Sequence, residues 1–379
     1  MSFRALALGL LVAIGCNGDA PVTQPDAAGS TVDAAPPPSR AVAYVSGYSP
    51  NIAWYDVDKD TGALTMAGQI AAFAGNPSFL AIRTDTRGIA THLYAVSEST
   101  SRVGAYSIDP ASGALAFIND VSTGGNGPAH VSVDRAGQYV LVANYGDGSV
   151  SVFPVRADGG VAAASQTLTA GANAHQIVAD PQNTRVLVPC KGASYIAQYD
   201  FASGMLTPSS TPRVMTAAGA GPRHVAWGSL ATSVYLINEN NSTLTAFDDQ
   251  ATTGLRELTT VSSRAGDASG SNTGAEVVVD TLGGDMVYVS NRGDNNIGVF
   301  KPNPTGTAGL SPIAHVPTGG TTPRMIELHG RSLYAANQDS NSVTLFHLDA
   351  ATRVPMPTGT SITFTKPTYI GFASLPAQD

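Results

Sequence analysis

At 379 residues the chain is long enough for a large core, and its length suits one to three domains. Only 13% of the residues are charged, against 40 glycines and 24 prolines, which favours an all-β chain with many tight turns over a helical one. The formal net charge of −8 argues against nucleic acid or an anionic membrane surface as a partner, since both call for clustered Lys and Arg.

The first 16 residues read as a targeting segment. Arg4 supplies a minimal positive region, and Ala5 to Gly15 is an apolar run too short to span a bilayer. It ends in Ala13-Ile14-Gly15-Cys16, which resembles the bacterial lipobox and implies lipidation of Cys16 with cleavage before it. An ordinary signal peptide with an incidental Cys is the alternative. Residues 17–40, rich in Ala, Pro, Asp, Ser and Thr, read as a flexible tether. Export is therefore expected, with lipid anchoring to the bacterial cell envelope, on its periplasmic side or at the outer membrane. Contact with the membrane is expected through that anchor alone. Cys190 stands in the apolar run Val186-Leu187-Val188-Pro189-Cys190 and reads as a buried small hydrophobe rather than a reactive thiol.

From residue 41 onward the chain repeats. Tyr-Val-Ser-Gly-Tyr ends at Tyr48, and related runs end at Glu98, Tyr145, Lys191, Glu239, Arg292 and Gln338, at intervals of 50, 47, 46, 48, 53 and 46 residues. Each is followed by a polar turn and a strand with one aromatic at a fixed offset: Tyr55, Tyr106, Phe153, Tyr199, Phe247, Phe300 and Phe346. Each copy also has an entering strand of the Gly221-Pro222-Arg223-His224 type. A repeat of this size with four short strands is that of a propeller blade, and seven copies predict a seven-bladed β-propeller over 41–379. The chain starts on a second strand and finishes on an entering strand (Lys366 to Phe372), so its two ends are expected to share one blade and close the ring.

In such a ring the entering strands line the channel and the turns after the second strands project from one end of it. One circle of residues then reads Tyr48, Glu98, Tyr145, Lys191, Glu239, Arg292, Gln338. The other reads Phe79, His130, His175, His224, Glu276, Met325, Tyr369, with Arg223 and Arg324 one residue earlier. Singly, His130 or His175 suits a hydrogen-bonded core position, and Arg292 suits a turn paired to Asp294. Together, convergent His, Arg and Glu in a concavity form a candidate active site. The aromatics are expected to fill blade-to-blade contacts.

Gly127-Pro128-Ala129-His130-Val131, Gly219-Ala220-Gly221-Pro222-Arg223-His224, Asn238-Glu239, Gly274-Ala275-Glu276 and Tyr288-Val289-Ser290-Asn291-Arg292-Gly293 resemble the lactonase family of seven-bladed propellers. That family includes 6-phosphogluconolactonase-like proteins and the fungal carboxy-muconate lactonizing enzyme, and the resemblance spans roughly 41 to 372. It implies a catalytic group of His175, Arg223, Glu239 and Arg292. Substrate contacts are then expected from His130, His224, Glu276, Arg324, Tyr145, Lys191 and Gln338. Three departures, at Asn173, Val278 and Ala129, leave that group intact.

The implied reaction is metal-independent hydrolysis of a sugar lactone or related cyclic ester, with no cofactor. Its partner is a small lactone or sugar acid; protein partners are not indicated. Arg223 and Arg292 would supply positive charge, and Glu239 or His175 would serve as the base. Two arginines beside Glu239 should keep it ionised. A metal held by His130, His175, His224 and Glu276 is the rival chemistry. The rival class is a non-catalytic cell-surface propeller that binds a ligand or a protein.

Overall fold

The computed structural model describes residues 39–229, 232–250, 254–302 and 309–377. Cys16, the lipobox-like run and nearly all of the stretch read as a tether lie outside the described residues. Seven sheets of four antiparallel strands make up the remainder. We number the blades I to VII. Blade I uses Ser39–Gly47, Asn51–Val57 and Leu64–Ala71, with Pro367–Pro376 as its inner strand. Blades II to VII then run in order from Pro77, Pro128, Val178, Pro222, Gly274 and Pro323. Ser39–Gly47 begins two residues inside the expected tether, where Arg40 is held by an ion pair to Asp56.

The shared blade closes the ring. Residues 39 to 47 pair with 367 to 376, from Ser39↔Pro376 to Gly47↔Pro367. A four-stranded sheet cannot bury both faces by itself, and the core accordingly lies between blades. Each hydrophobic cluster straddles a blade boundary: Phe153 packs with Tyr94 across II and III, and Phe300 with Tyr235 across V and VI. The seven third-strand aromatics are buried at 0–6% exposure, as their periodicity predicts. A second series was not expected. Tyr44, Tyr94, Tyr288 and Tyr334 each donate a hydrogen bond of 2.7–3.0 Å to a turn carbonyl of a neighbouring blade, at Gly113, Gly159, Arg353 and Gly62 respectively. The bond from Tyr334 to Gly62 ties blade VII to blade I.

One irregularity positions everything at the channel mouth. The inner strands of blades I, II, III, V, VI and VII each carry a register shift near their first residues, as between Pro128 and His130 or Pro222 and His224. A bulge of this kind adds a residue to one strand and re-aims its side chain. Blade IV differs. Its inner strand is only Val178–Ala179, and His175 sits ahead of it, held by its own N–H to the Pro189 carbonyl at 2.9 Å. The expected strand at His175 is thus reduced to a single bridge, Ala174↔Cys190. Cys190 is fully buried, and burial pushes its thiol up to about 12, as expected of an unreactive cysteine.

Ring closure has a measurable consequence. A chain ending at residue 366 loses the strand that buries Tyr369, Ile370, Ala373 and Leu375, all at 7% exposure or less. It should melt well below the full chain in a calorimetric scan. Ile370→Ala alone should cost about 2–5 kcal/mol by urea denaturation. An unchanged melting temperature in the truncated chain would refute closure by strand sharing.

Candidate active site

Arg223 is the added residue of the blade V bulge, because Pro222 pairs with Asn238 while His224 pairs with Ile237. The corner before it needs a glycine. Gly221 has φ +76°, and a Cβ there would meet the Asn240 side chain at 2.6 Å. Its carbonyl accepts the Glu239 N–H at 2.6 Å, which fixes the start of one strand against the end of the next. Arg223 and Glu239 therefore meet, with Nε to Oε2 at 3.1 Å.

Glu239 has two further cations. Lys191 of blade IV donates to its Oε1 at 2.6 Å, and Arg292 of blade VI lies 3.1 Å from the same oxygen. Burial alone would push Glu239 up, but Arg223, Arg292 and Lys191 outweigh it and hold the carboxyl at about 2. Burial, with Arg292 nearby, brings Arg223 down to about 9, still a cation at neutral pH. Arg223 also donates to the Ala275 carbonyl at 2.6 Å, and Arg292 to the Gly274 carbonyl at 3.3 Å. Arg292 Nε is buried without a hydrogen bond, whereas Arg223 Nε is the atom that faces Glu239 Oε2. Asp294, the turn partner considered for Arg292, is taken by Arg264 at 2.7 Å.

The histidines form a second layer. His224 is 1% exposed, and both of its ring nitrogens are engaged. Nε2 lies 3.2 Å from His175 Nδ1, and Nδ1 lies 2.8 and 2.9 Å from the two oxygens of Glu276. His175 Nε2 makes no hydrogen bond among the described residues and is not among the sealed polar atoms. Burial first, and then the Arg223 charge, holds both His175 and His224 well below the usual imidazole range, so both are neutral at pH 7. His130 is packed differently. Its ring centre lies 4.3 Å from that of Phe79 and 5.6 Å from that of His224, in an aromatic floor that continues through Phe79 to Tyr369 at 4.9 Å.

Around this floor stand the other expected contacts. Tyr145 meets the His175 ring edge-on at 5.6 Å, and its hydroxyl accepts from Lys191 at 3.4 Å. The Arg324 guanidinium carbon lies 5.3 Å from the centre of the Tyr48 ring, whose hydroxyl is 3.3 Å from both oxygens of Glu98. Gln338 donates to Asp339 at 3.1 Å and leaves its own Oε1 buried without a partner. The structure thus joins Glu239 to Arg223, Arg292 and Lys191 by direct contact. It sets His175 in the field of Arg223, Arg324 and Arg292. His224 and Glu276, expected at the substrate, are bonded to each other, and His224 is also bonded to His175. Among the described residues no three His, Cys, Asp or Glu side chains are placed to hold a metal ion. Glu327 of the blade VII inner strand was missed. Burial, reinforced by the Glu276 charge, pushes its carboxyl up to about 8. Strand alternation could have found it, since it lies two residues after Met325 on the same face.

An Arg–Glu–His cluster gathered from adjacent blades of a seven-bladed ring defines the class: a β-propeller with charged groups suited to a polarised carbonyl or an anion. The chain belongs to the lactonase family, whose family description, "Lactonase, 7-bladed beta-propeller", matches residues 42–372. It is 32% identical over 324 residues to the 6-phosphogluconolactonase of Bacillus subtilis, covering 82% of this chain and 90% of that one. Among solved structures it resembles the periplasmic gluconolactonase of Pseudomonas aeruginosa at a TM-score of 0.81 and 27% identity, covering 89% of this chain and 99% of that one. A putative 6-phosphogluconolactonase of Bacteroides fragilis superposes at a TM-score of 0.80 with 25% identity, covering 91% and 100%.

The Glu239 contacts predict an acid sensitivity. The folded carboxyl, at about 2, lies below the ordinary 4.5, so its stabilisation is present above pH 4.5 and is lost as pH falls toward 2. The full shift is worth on the order of 3 kcal/mol. Glu239→Gln should therefore melt well below wild type at pH 7, and the gap should close below pH 3. A gap that stays constant with pH would refute the charge clamp.

Proposed function

We propose that this chain is a metal-independent lactone hydrolase acting on a sugar lactone or related cyclic ester outside the cytoplasm. The observation that carries it is the joint placement of two guanidiniums, a carboxylate that holds them, and a neutral histidine with a free nitrogen. Ester opening needs stabilisation of a developing oxyanion and a proton acceptor for water. Arg223 and Arg292 supply the first, positioned by Glu239 rather than consumed by it. A carboxyl held at about 2 is a poor base, which leaves His175 Nε2 as the acceptor.

Charge supports the substrate class. Lys191, Arg223 and Arg292 all meet the single carboxylate of Glu239, so positive charge is in excess around it. That excess suits an oxyanion and then the carboxylate of an opened sugar acid. Action outside the cytoplasm is supported by the lipobox-like run at Cys16 and by the likeness to a periplasmic gluconolactonase. Among the described residues no helix is long and apolar enough to cross a membrane.

The test is a hydrolysis screen over phosphorylated and unphosphorylated sugar lactones. Wild type should turn over an unphosphorylated lactone, and Arg223→Ala should lower kcat/KM by about 10²–10³-fold. Glu239→Gln should lose activity at pH 7 because its arginines are no longer held. Turnover that survives in both variants overturns the site. No turnover by wild type on any lactone favours a cell-surface binding module.

A further inference from the structure

His175 poses a chemical difficulty. It is the free-nitrogen base of the proposed site, yet burial and the Arg223, Arg324 and Arg292 charges oppose a lasting imidazolium there. A base that cannot keep a proton needs somewhere to send it. The structure supplies a path of two hydrogen bonds. His175 Nδ1 lies 3.2 Å from His224 Nε2, and His224 Nδ1 lies 2.8 Å from Glu276 Oε1. All three residues are at most 5% exposed, so water does not interrupt the path. The links come from blades IV, V and VI.

We propose that His175, His224 and Glu276 form a proton wire, in which a proton taken from water at His175 Nε2 comes to rest on the Glu276 carboxylate. The proposal rests on the lactonase reading for its catalytic use but not for its existence. Tautomers make it work. With Glu276 ionised, His224 Nδ1–H donates to the carboxylate and His224 Nε2 accepts from His175 Nδ1–H. His175 Nε2 is then a lone pair. With Glu276 protonated, its O–H donates to His224 Nδ1, His224 Nε2–H donates to His175 Nδ1, and His175 Nε2 carries hydrogen. The two states differ by one proton, and neither contains an imidazolium.

The step balances. A water O–H bond breaks and its proton bonds to His175 Nε2. The Nδ1 proton of His175 passes to His224 Nε2, and the Nδ1 proton of His224 passes to Glu276. The hydroxide oxygen bonds to the lactone carbonyl carbon. When the ring C–O bond breaks, the wire runs backward and His175 Nε2 protonates the leaving alkoxide. Net, one water is added and Glu276 is again a carboxylate.

Glu276 is suited to the end of the wire. Burial raises its carboxyl, against the pull of Arg223, to about 7, where it can both take and return a proton at neutral pH. It also accepts from the Val277 N–H at 3.1 Å, which keeps one oxygen oriented. The charged and titratable groups around the wire are Arg223, Arg292, Arg324 and Glu239 above, His130 beside His224, and Glu327 and Tyr369 beyond Glu276. Glu327, raised to about 8, is the weaker acid of the two, so Glu276 ionises before it.

The test reads the tautomers directly. The folded chain, labelled with ¹⁵N in its imidazoles, is titrated by NMR, with His175 and His224 assigned from His175→Gln and His224→Phe. Both rings should exchange tautomer together with one midpoint near 7, without passing through imidazolium. Glu276→Gln, which keeps the shape, should abolish the exchange. Glu327→Gln should keep it with its midpoint little moved. In lactone assays kcat/KM should fall about tenfold per pH unit below 7 in wild type. Glu276→Gln should lose that inflection and about 10²–10³-fold in kcat, with KM within about twofold. A His175 tautomer that stays fixed across the titration, or one unchanged in Glu276→Gln, overturns the wire. The NMR titration gives its answer even if wild type opens no lactone, so failure of the wire and failure of the lactonase reading are separate results.

Discussion

The constraint beneath all of this is that no blade can bury itself. A sheet with two apolar faces is stable only against neighbours on both sides, so seven such sheets are stable only as a closed ring. Closure rests on the pairing of residues 39 to 47 with 367 to 376, at the two ends of the described chain. The hydroxyl bonds from Tyr44, Tyr94, Tyr288 and Tyr334 then fix each of those blades against a neighbour with a directed contact as well as an apolar one. The site inherits this rigidity. Lys191, Arg223, Glu239 and Arg292 come from three blades, and the distances among them are set by blade-to-blade packing rather than by any local loop.

That origin explains how a costly arrangement persists. Taking a carboxylate and three cations out of water costs several kcal/mol per ion, and the mutual attraction repays it only when geometry is good. Hydrophobic replacements of such clusters are often neutral or stabilising, so the cluster is poorly explained as a means of holding the fold. The buried, unbonded Nε of Arg292 points the same way. A purely structural pair would be expected to satisfy its donors. An anion receptor is expected to keep some in hand.

Much of the fold could be read in the chain because a propeller writes its architecture as a period. The seven second strands, the seven buried aromatics and the shared blade all follow from spacing alone. So does the meeting of Arg223 with Glu239, since antiparallel neighbours bring a strand start beside a strand end. What spacing could not supply is contact between blades. Nothing local to Gly221 through Val225 says that His224 reaches Glu276, 52 residues on, or that Lys191 becomes the third cation on Glu239. The short strand at His175 was hidden for another reason. Ala172-Asn173-Ala174-His175 keeps the repeat's spacing but lacks the Pro that marks most other inner strands, and Asn173 takes a left-handed φ of +55°.

The same inter-blade geometry separates two roles that residue type alone would merge. Glu239 and Glu276 are both buried glutamates beside Arg223, and residue type alone does not separate them. Their surroundings push them apart. Three cations in contact hold Glu239 at about 2, while burial, opposed only in part by Arg223, lifts Glu276 to about 7. A carboxylate that never protonates at working pH is fit to hold arginines in place. A carboxylate poised near neutrality is fit to exchange a proton. The division is decided by where on its blade each residue stands and what the next blade presents to it.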